Sequence, residues 1–412
     1  MKLRLTPTRL FTRATAFVRN DPVSVKTGFV SLVISMIAGL IAGIVLGSIT
    51  KTLVALPGLV VLAPAAIGLR GNVFGALASR LSTIAQLGDL RFSKRLNTTI
   101  GQNLVSSTLL SLSCSFFLAG IAKIVSEAFG IKNAISYTDF FVISILGGLI
   151  PTLLVMIMTI FLALACVKKQ WDLDNVGAPL ITATGDMVTI PSLVLATLIV
   201  NRSWITVSVS ILASIFALTL FVYGLATRQL VLRRIYRESF PLLIVGGFIS
   251  ILAGLTVQGR ISSLSQYPIF IMMVPPLLSL NGAIGSIFSA RVSTKLHLGL
   301  VRSEKFTLSP ITEDITLAYV LSVPIFMSFG IFCGIYSNFG HLTGPGIGST
   351  IVVAFIAGIV STTLSNIVGY LTAVMSYRFG LDPDNFAVPA VTSLSDLIGA
   401  VILMLAIGVL NV

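Results

Sequence analysis

The run DLDNVGAPLITATGD, Asp172 to Asp186, returns 210 residues further on as DPDNFAVPAVTSLSD, Asp382 to Asp396, without a gap. Both copies read D-x-D-N-x-x-x-P-x-[IV]-T-x-x-x-D, and each continues into an apolar stretch long enough to cross a bilayer with an aspartate inside it. A match of this kind marks an internal duplication. A second pair agrees at an offset of 211: PAAIGLRGNVFGALASRLST, starting at Pro64, corresponds to PPLLSLNGAIGSIFSARVST, ending at Thr294. Pro64, Gly71, Arg80, Ser82 and Thr83 meet Pro275, Gly282, Arg291, Ser293 and Thr294.

The composition sets the solvent in which the duplicated unit folds. Apolar residues make up 55% of 412, charged residues only 10%, and the mean hydropathy is +1.02, values that belong to a polytopic membrane protein. Apolar runs of membrane-spanning length fall within 28–50, 54–79, 102–125, 140–166, 176–200, 204–227, 239–258, 266–290, 313–336, 347–376 and 386–411, which predicts eleven transmembrane helices. The duplicated motifs occupy the second and fifth spans of each half. Each half is therefore a five-helix unit, and the sixth span is a connector. Two five-span units joined directly would lie in opposite orientations, whereas one added crossing makes them parallel. The expected fold is all-α, with two parallel five-helix repeats about a pseudo-twofold axis along the membrane normal. The expected organisation is a basic segment at 1–27, a first repeat at 28–201, a connector helix and basic loop at 202–237, and a second repeat at 238–412.

Basic residues orient the chain. With the N-terminus in the cytoplasm, 21 Lys and Arg fall on the inner side, against four outside, namely Lys51, Lys132, Arg202 and Arg260. The C-terminus is then outside. The net charge of +13 reads as cytoplasmic loops facing anionic lipid headgroups rather than as a nucleic-acid surface. The segment LRLTPTRLFTRATAFVRN either lies on the inner leaflet or forms a basic tail, and no cleavable signal peptide is expected. Cys114, Cys166 and Cys333 all fall in apolar spans, which suits buried small residues and not a disulfide framework or thiolate metal site. The chain is expected to be a multi-pass protein of the plasma or inner membrane.

Of the fourteen carboxylates, Asp186 and Asp396 are the two well inside spans, each eleven residues after the Asn that opens its helix, at a depth of about 16 Å. A charge there is costly and faces a cavity, an ion or a partner. Asn175, Pro179, Thr182, Asp186 and Thr189 share one helical face, and Asn385, Pro389, Thr392, Asp396 and Gly399 repeat it. Two such stripes across a twofold axis describe a pore lining. Paired carboxylates among hydroxyl and amide oxygens attract hard cations and suit a largely hydrated magnesium ion; Mn, Co and Ni remain open. The same pair would also serve to share a proton in a proton- or sodium-coupled carrier. In the second spans, Pro64, Gly68 and Gly71, with Pro275 and Gly282, are expected to interrupt the helix and free backbone carbonyls, with Arg70, Asn72 and Asn281 adding polar groups. Glycines that merely allow close helix packing are the alternative reading. Arg70 is also an available counter-ion for one aspartate, which would make that aspartate structural. Asp172, Asp174, Asp382 and Asp384 either cap helix N-termini or gather cations at the inner mouth. His297 and His341 are isolated, and Met187 is a packing residue.

At these residues the chain resembles the MgtE family of divalent-cation channels and transporters, including its fused animal solute-carrier relatives. The resemblance spans about residues 28–411. It implies five-helix units around a central ion pathway in which a fifth-helix aspartate binds hydrated magnesium. By position these are Asp186 and Asp396, supported by Asn72, Asn175, Thr182, Asn385 and Thr392. The sequence departs from the bacterial pattern in having neither the acidic helical domain nor the paired nucleotide-binding modules, so gating by cytoplasmic magnesium through them is not expected. Asn281 and Ala283 stand where the first half has Arg70 and Asn72, so the halves are not interchangeable.

Two aspartates at membrane depth would also fit an intramembrane aspartyl protease, but neither Ala183–Asp186 nor Ser393–Asp396 carries the G-x-G-D pattern of that family. The reading is of a non-enzymatic transporter of divalent cations, foremost Mg2+ as the transported ion, without a cofactor. Its other partners are membrane lipids, and one chain is expected to suffice because the repeats are fused.

Overall fold

The computed structural model describes residues 22–86, 98–169, 173–200, 203–302, 309–340, 342–380 and 383–410. Most of the basic segment expected at 1–27, together with Asp172, Asp382 and His341, lies outside the described residues. Those residues form thirteen α-helices and one 3-10 turn, Ser309–Ile311. In order they are α1 (Pro22–Ser48), α2 (Thr50–Ala55), α3 (Leu59–Gln86), α4 (Thr99–Ala128), α5 (Tyr137–Lys169), α6 (Leu173–Thr197) and α7 (Ser203–Ala226). The second half follows with α8 (Leu230–Gln258), α9 (Ile261–Leu264), α10 (Pro268–His297), α11 (Thr312–Asn338), α12 (Ile347–Phe379) and α13 (Pro383–Val409). Eleven of them are long and apolar enough to cross a membrane, and α2 and α9 are short turns after the first span of each half. Proline opens α1, α10 and α13, where its missing N–H costs nothing. The basic turn ahead of the seventh span joins its helix, so α8 starts at Leu230 rather than near 239, with an Arg234–Glu238 pair at 2.9 Å on its surface.

The two halves interlock instead of standing side by side. Helix α1 packs against α10 and α11 of the second half, and α8 packs against α3 and α4 of the first. Each half closes its own set with α3 on α6, α5 on α6, α10 on α13 and α12 on α13. The connector α7 sits at the periphery against α4, α5 and α8, and is the least buried of the spans, whereas α10 is the most buried. An aromatic cluster fastens the connector: Phe221 meets Phe117 and Phe240, and the Tyr236 hydroxyl bonds Ser113 at 2.6 Å.

The repeat is visible in the packing at the same offset of 211. The buried face of α1 runs through Leu32, Ser35, Gly39, Leu40, Ala42, Gly43 and Leu46; that of α8 runs through Leu243, Gly246, Ser250, Ile251, Ala253, Gly254 and Val257. A side chain at Gly43 would collide with the Met272 carbonyl, and one at Gly254 with the Val61 carbonyl at 2.5 Å. Both pairs are counterparts under that offset.

These contacts correct the expectation that the second spans are broken. Helices α3 and α10 run without interruption through Pro64 and through Pro275 and Pro276. Each proline leaves a carbonyl four residues earlier without its helical donor. Pro64 frees Val60 and Pro276 frees Met272, and the glycine faces of α8 and α1 lie directly over those two carbonyls. Close backbone packing covers them.

At the end of the bundle where α1 begins, charges tie the helices together. The Asp314 carboxylate, fully buried at the start of α11, accepts from Arg291 Nε at 2.8 Å and Lys295 Nζ at 2.6 Å, both on α10. Arg291 Nη1 also donates to Ser24 Oγ on α1 at 3.3 Å.

Two outcomes follow for the purified protein. Gly254→Val forces α8 off α3 and lowers stability by about 2 kcal/mol or more, read as a drop in thermal unfolding temperature; an unchanged temperature would mean the contact is not tight. Asp314→Asn strips a buried carboxylate from two cations and costs about 3 kcal/mol, and adding Arg291→Gln and Lys295→Gln recovers most of it. A triple variant no more stable than Asp314→Asn alone would show that the charges are not what holds this end.

Candidate functional site

The fifth spans carry the aspartates to the middle of the bundle, and the interlocked helices surround them. Asp186 on α6 and Asp396 on α13 are both buried and both line one cavity of about 650 Å³. Thr182, Thr392 and Asn72 line it too. Asn72 of the first half accepts a hydrogen bond from the Thr392 hydroxyl of the second at 3.0 Å, which ties the two repeats across the cavity. The motif glycines make room for this wall: Gly71 faces Thr182, where an added carbon would stand 3.2 Å from its methyl group, and Gly282 faces Thr392 in the same way at 3.6 Å.

Asn175 and Asn385 sit on α6 and α13, with side chains outside the described residues, as are those of Pro179, Asp174 and Asp384. Thr189 is buried off the cavity and bonds the Gly185 carbonyl at 2.6 Å. Gly399 packs on Asn281, whose amide is fully buried without a hydrogen-bond partner and does not line the cavity. Arg70 turns away from Asp186. Its guanidinium donates to the Ala66 carbonyl at 2.8 Å and to Ser115 Oγ at 2.7 Å, between α3, α4 and α5, and meets no carboxylate among the described residues. The alternative of Arg70 as counter-ion is therefore not met: the residue does not line the cavity, and its guanidinium lies among α3, α4 and α5.

What surrounds the aspartates instead is neutral oxygen. Ser279 on α10 donates to Asp186 Oδ2 at 2.6 Å, and Ser250 on α8 donates to Asp396 Oδ2 at 2.9 Å. No third His, Cys, Asp or Glu joins the two aspartates in a chelating group among the described residues.

From the aspartates the cavity extends toward the end where α1 begins. A stripe on α1 lines that stretch: Ser24, Thr27, Ser31 and Ser35, spaced at three and four. Neither these residues nor Ser250 and Ser279 were expected as site residues, although the α1 spacing was readable in the sequence. Arg291 stands at the mouth, the one basic side chain among the described lining residues, held by Asp314. Toward the opposite end the lining turns apolar, with Leu46, Val60 and Val274, and the glycine faces of α1 and α8 close on α10 and α3.

Known proteins have sequences similar to this one. The sequence model of the MgtE family, described as divalent cation transporter, matches residues 63–196 and again residues 274–406. Solute carrier family 41 member 3 of Mus musculus is 24% identical over 371 residues, covering 84% of this chain and 74% of its own length. Solute carrier family 41 member 2 of Homo sapiens is 26% identical over 380 residues, covering 84% of this chain and 63% of its own. Among solved structures, the eukaryotic MATE transporter AtDTX14 covers 96% of each chain at 11% identity with a TM-score of 0.32, too low to indicate a shared fold. With both of its repeats matched, this multi-pass membrane protein belongs to the MgtE family of divalent cation transporters.

Proposed function

We propose that the chain moves Mg2+ through the central cavity, with Asp186 and Asp396 as the ion site. One observation carries this reading: symmetry-related aspartates from the two repeats line a single cavity at mid-bundle. Two carboxylates, hydroxyls and the Asn72 amide make a hard-oxygen surface without a soft ligand, and a cavity of about 650 Å³ has room for an ion that keeps much of its water. Thr182, Thr392 and Asn72 serve as neutral oxygens facing that water, and Asn175 and Asn385 as polar groups at the start of the same two helices. With the N-terminus in the cytoplasm, as the basic loops favour, the polar half of the cavity faces inward and the glycine-sealed half outward. The protein is placed in the plasma or inner membrane. Since both carboxylates belong to one chain, a monomer forms the whole site, and the units 28–201 and 238–412 act as its two halves.

Coupling to a proton or sodium gradient is the second reading, supported by the closed packing on one side of the aspartates, which suits alternating access as well as a gated pore. One flux experiment separates them. In proteoliposomes Mg2+ uptake is expected from wild type, with at least a tenfold loss in Asp186→Asn and in Asp396→Asn, and no dependence on an opposing proton or sodium gradient for a channel. Uptake that requires a gradient selects the exchanger. Mg2+ uptake untouched by either substitution removes the aspartates from the pathway.

A further inference from the structure

Asp186 and Asp396 are related by the repeat, yet the serines that bond them are not. Ser279 reaches Asp186 from α10, the second span of its half, and Ser250 reaches Asp396 from α8, a first span. Under the offset of 211, the counterpart of Ser279 is Gly68 and that of Ser250 is Gly39. Gly68 sits at the matching place. Gly68 adjoins Asp396, where an added carbon would stand 3.5 Å from Oδ2 and 3.6 Å from Ser250 Oγ. Gly39 lies on the α1 face that packs on α10.

Under the repeat each carboxylate thus has two related positions, one on a first span and one on a second span. Each has a hydroxyl at one of them only. Steric room explains the choice. A side chain at Gly39 would stand 2.5 Å from the Pro276 Cα, so that position is closed and the donor to Asp186 has to come from α10. Position 250, by contrast, holds a serine whose hydroxyl reaches Asp396. In both sites the hydroxyl proton goes to Oδ2, and no protein donor meets either Oδ1 among the described residues.

We propose that Ser250 and Ser279 are positioning residues of the ion site, each holding one carboxylate oxygen so that the other is presented to the ion and its water. The position of the hydroxyl in the chain is immaterial; one donor per carboxylate is what the site requires. This rests on the proposed ion pathway. A hydroxyl bound to an ionised acceptor is stronger than a neutral hydrogen bond and fixes direction as well as charge. Removing it lets the carboxylate turn away from the ion.

The test is Mg2+ uptake as a function of concentration in proteoliposomes, with flux normalised to inserted, monodisperse protein. Ser250→Ala and Ser279→Ala are each expected to raise the half-saturating Mg2+ concentration about tenfold or more, leaving most of the maximal flux. Ser250→Thr, which keeps the hydroxyl, stays near wild type. The deciding variant moves the donor: Gly68→Ser with Ser250→Ala is expected to return the half-saturating concentration to near the wild-type value. A packing role for Ser250 would not be rescued from another helix. Half-saturation within about twofold of wild type for both alanine variants, or no recovery on moving the hydroxyl, overturns the proposal. Asp396→Asn runs alongside. If it abolishes uptake while the serine variants are silent, the serine inference alone falls; if uptake survives it, the ion pathway falls with it.

Discussion

A carboxylate placed among hydrocarbon chains costs several kcal/mol, and this chain places two of them at mid-membrane. The arrangement of helices follows from enclosing them. Both halves contribute through an exchange of first spans: α1 packs on α6 of its own half and on α10 of the other, and α8 on α13 of its own half and on α3 of the other. Each aspartate then lies between its own fifth span and a second or first span that brings a hydroxyl, and the cavity takes lining residues from both repeats.

That exchange demands helices whose backbones nearly touch. In a bilayer, packing and not the hydrophobic effect joins helices, and small residues set how closely they approach. Gly39 and Gly43 on α1 and Gly254 on α8 supply that approach, and the prolines of the partner helices make it more than packing. A proline in a membrane helix releases a carbonyl that hydrocarbon cannot satisfy. Where Val60 and Met272 are released, a glycine face covers them. Proline on one helix and glycine on its neighbour are therefore complementary at Pro64 and Pro276, where α3 and α10 run on as continuous helices.

Hydropathy and register are properties of the chain taken one residue after another, so the eleven spans, the duplication, the connector and the two buried aspartates were all legible from sequence. Thr182 and Thr392 were legible for the same reason, as members of a repeated pattern, and Asn72 through the family resemblance. What depended on the partner helix was not. Arg70 adjoins Gly71 in the motif, but whether it faces Asp186 or Ser115 depends on where α4 and α5 lie around α3. The breaks expected at Pro64 and Pro275 assumed that freed carbonyls stay open, which holds only if no glycine face approaches. Ser250 and Ser279 are ordinary apolar-span serines until it is known that α8 meets α13 and that α10 borders α6 across the cavity. The stripe of Ser24, Thr27, Ser31 and Ser35 was visible by spacing alone, yet its role depends on α1 crossing into the other half.

Fusion of the repeats explains the differences between the halves. In a dimer of identical five-span chains, every residue occurs twice, and a proline or a hydroxyl that suits one site is imposed on the other. Joined by α7, each half is free to change alone. At the end where α1 begins, Arg291 meets the buried carboxylate of Asp314, while its counterpart Arg80 reaches Ser107, and Asn103 occupies the place equivalent to Asp314. Around the aspartates, Asn72 bonds Thr392 across the cavity, and Ala283 offers Thr182 no such partner. Asp186 takes its hydroxyl from a second span and Asp396 takes its hydroxyl from a first span, so the two carboxylates are held by different helices, which a strictly symmetric site cannot do.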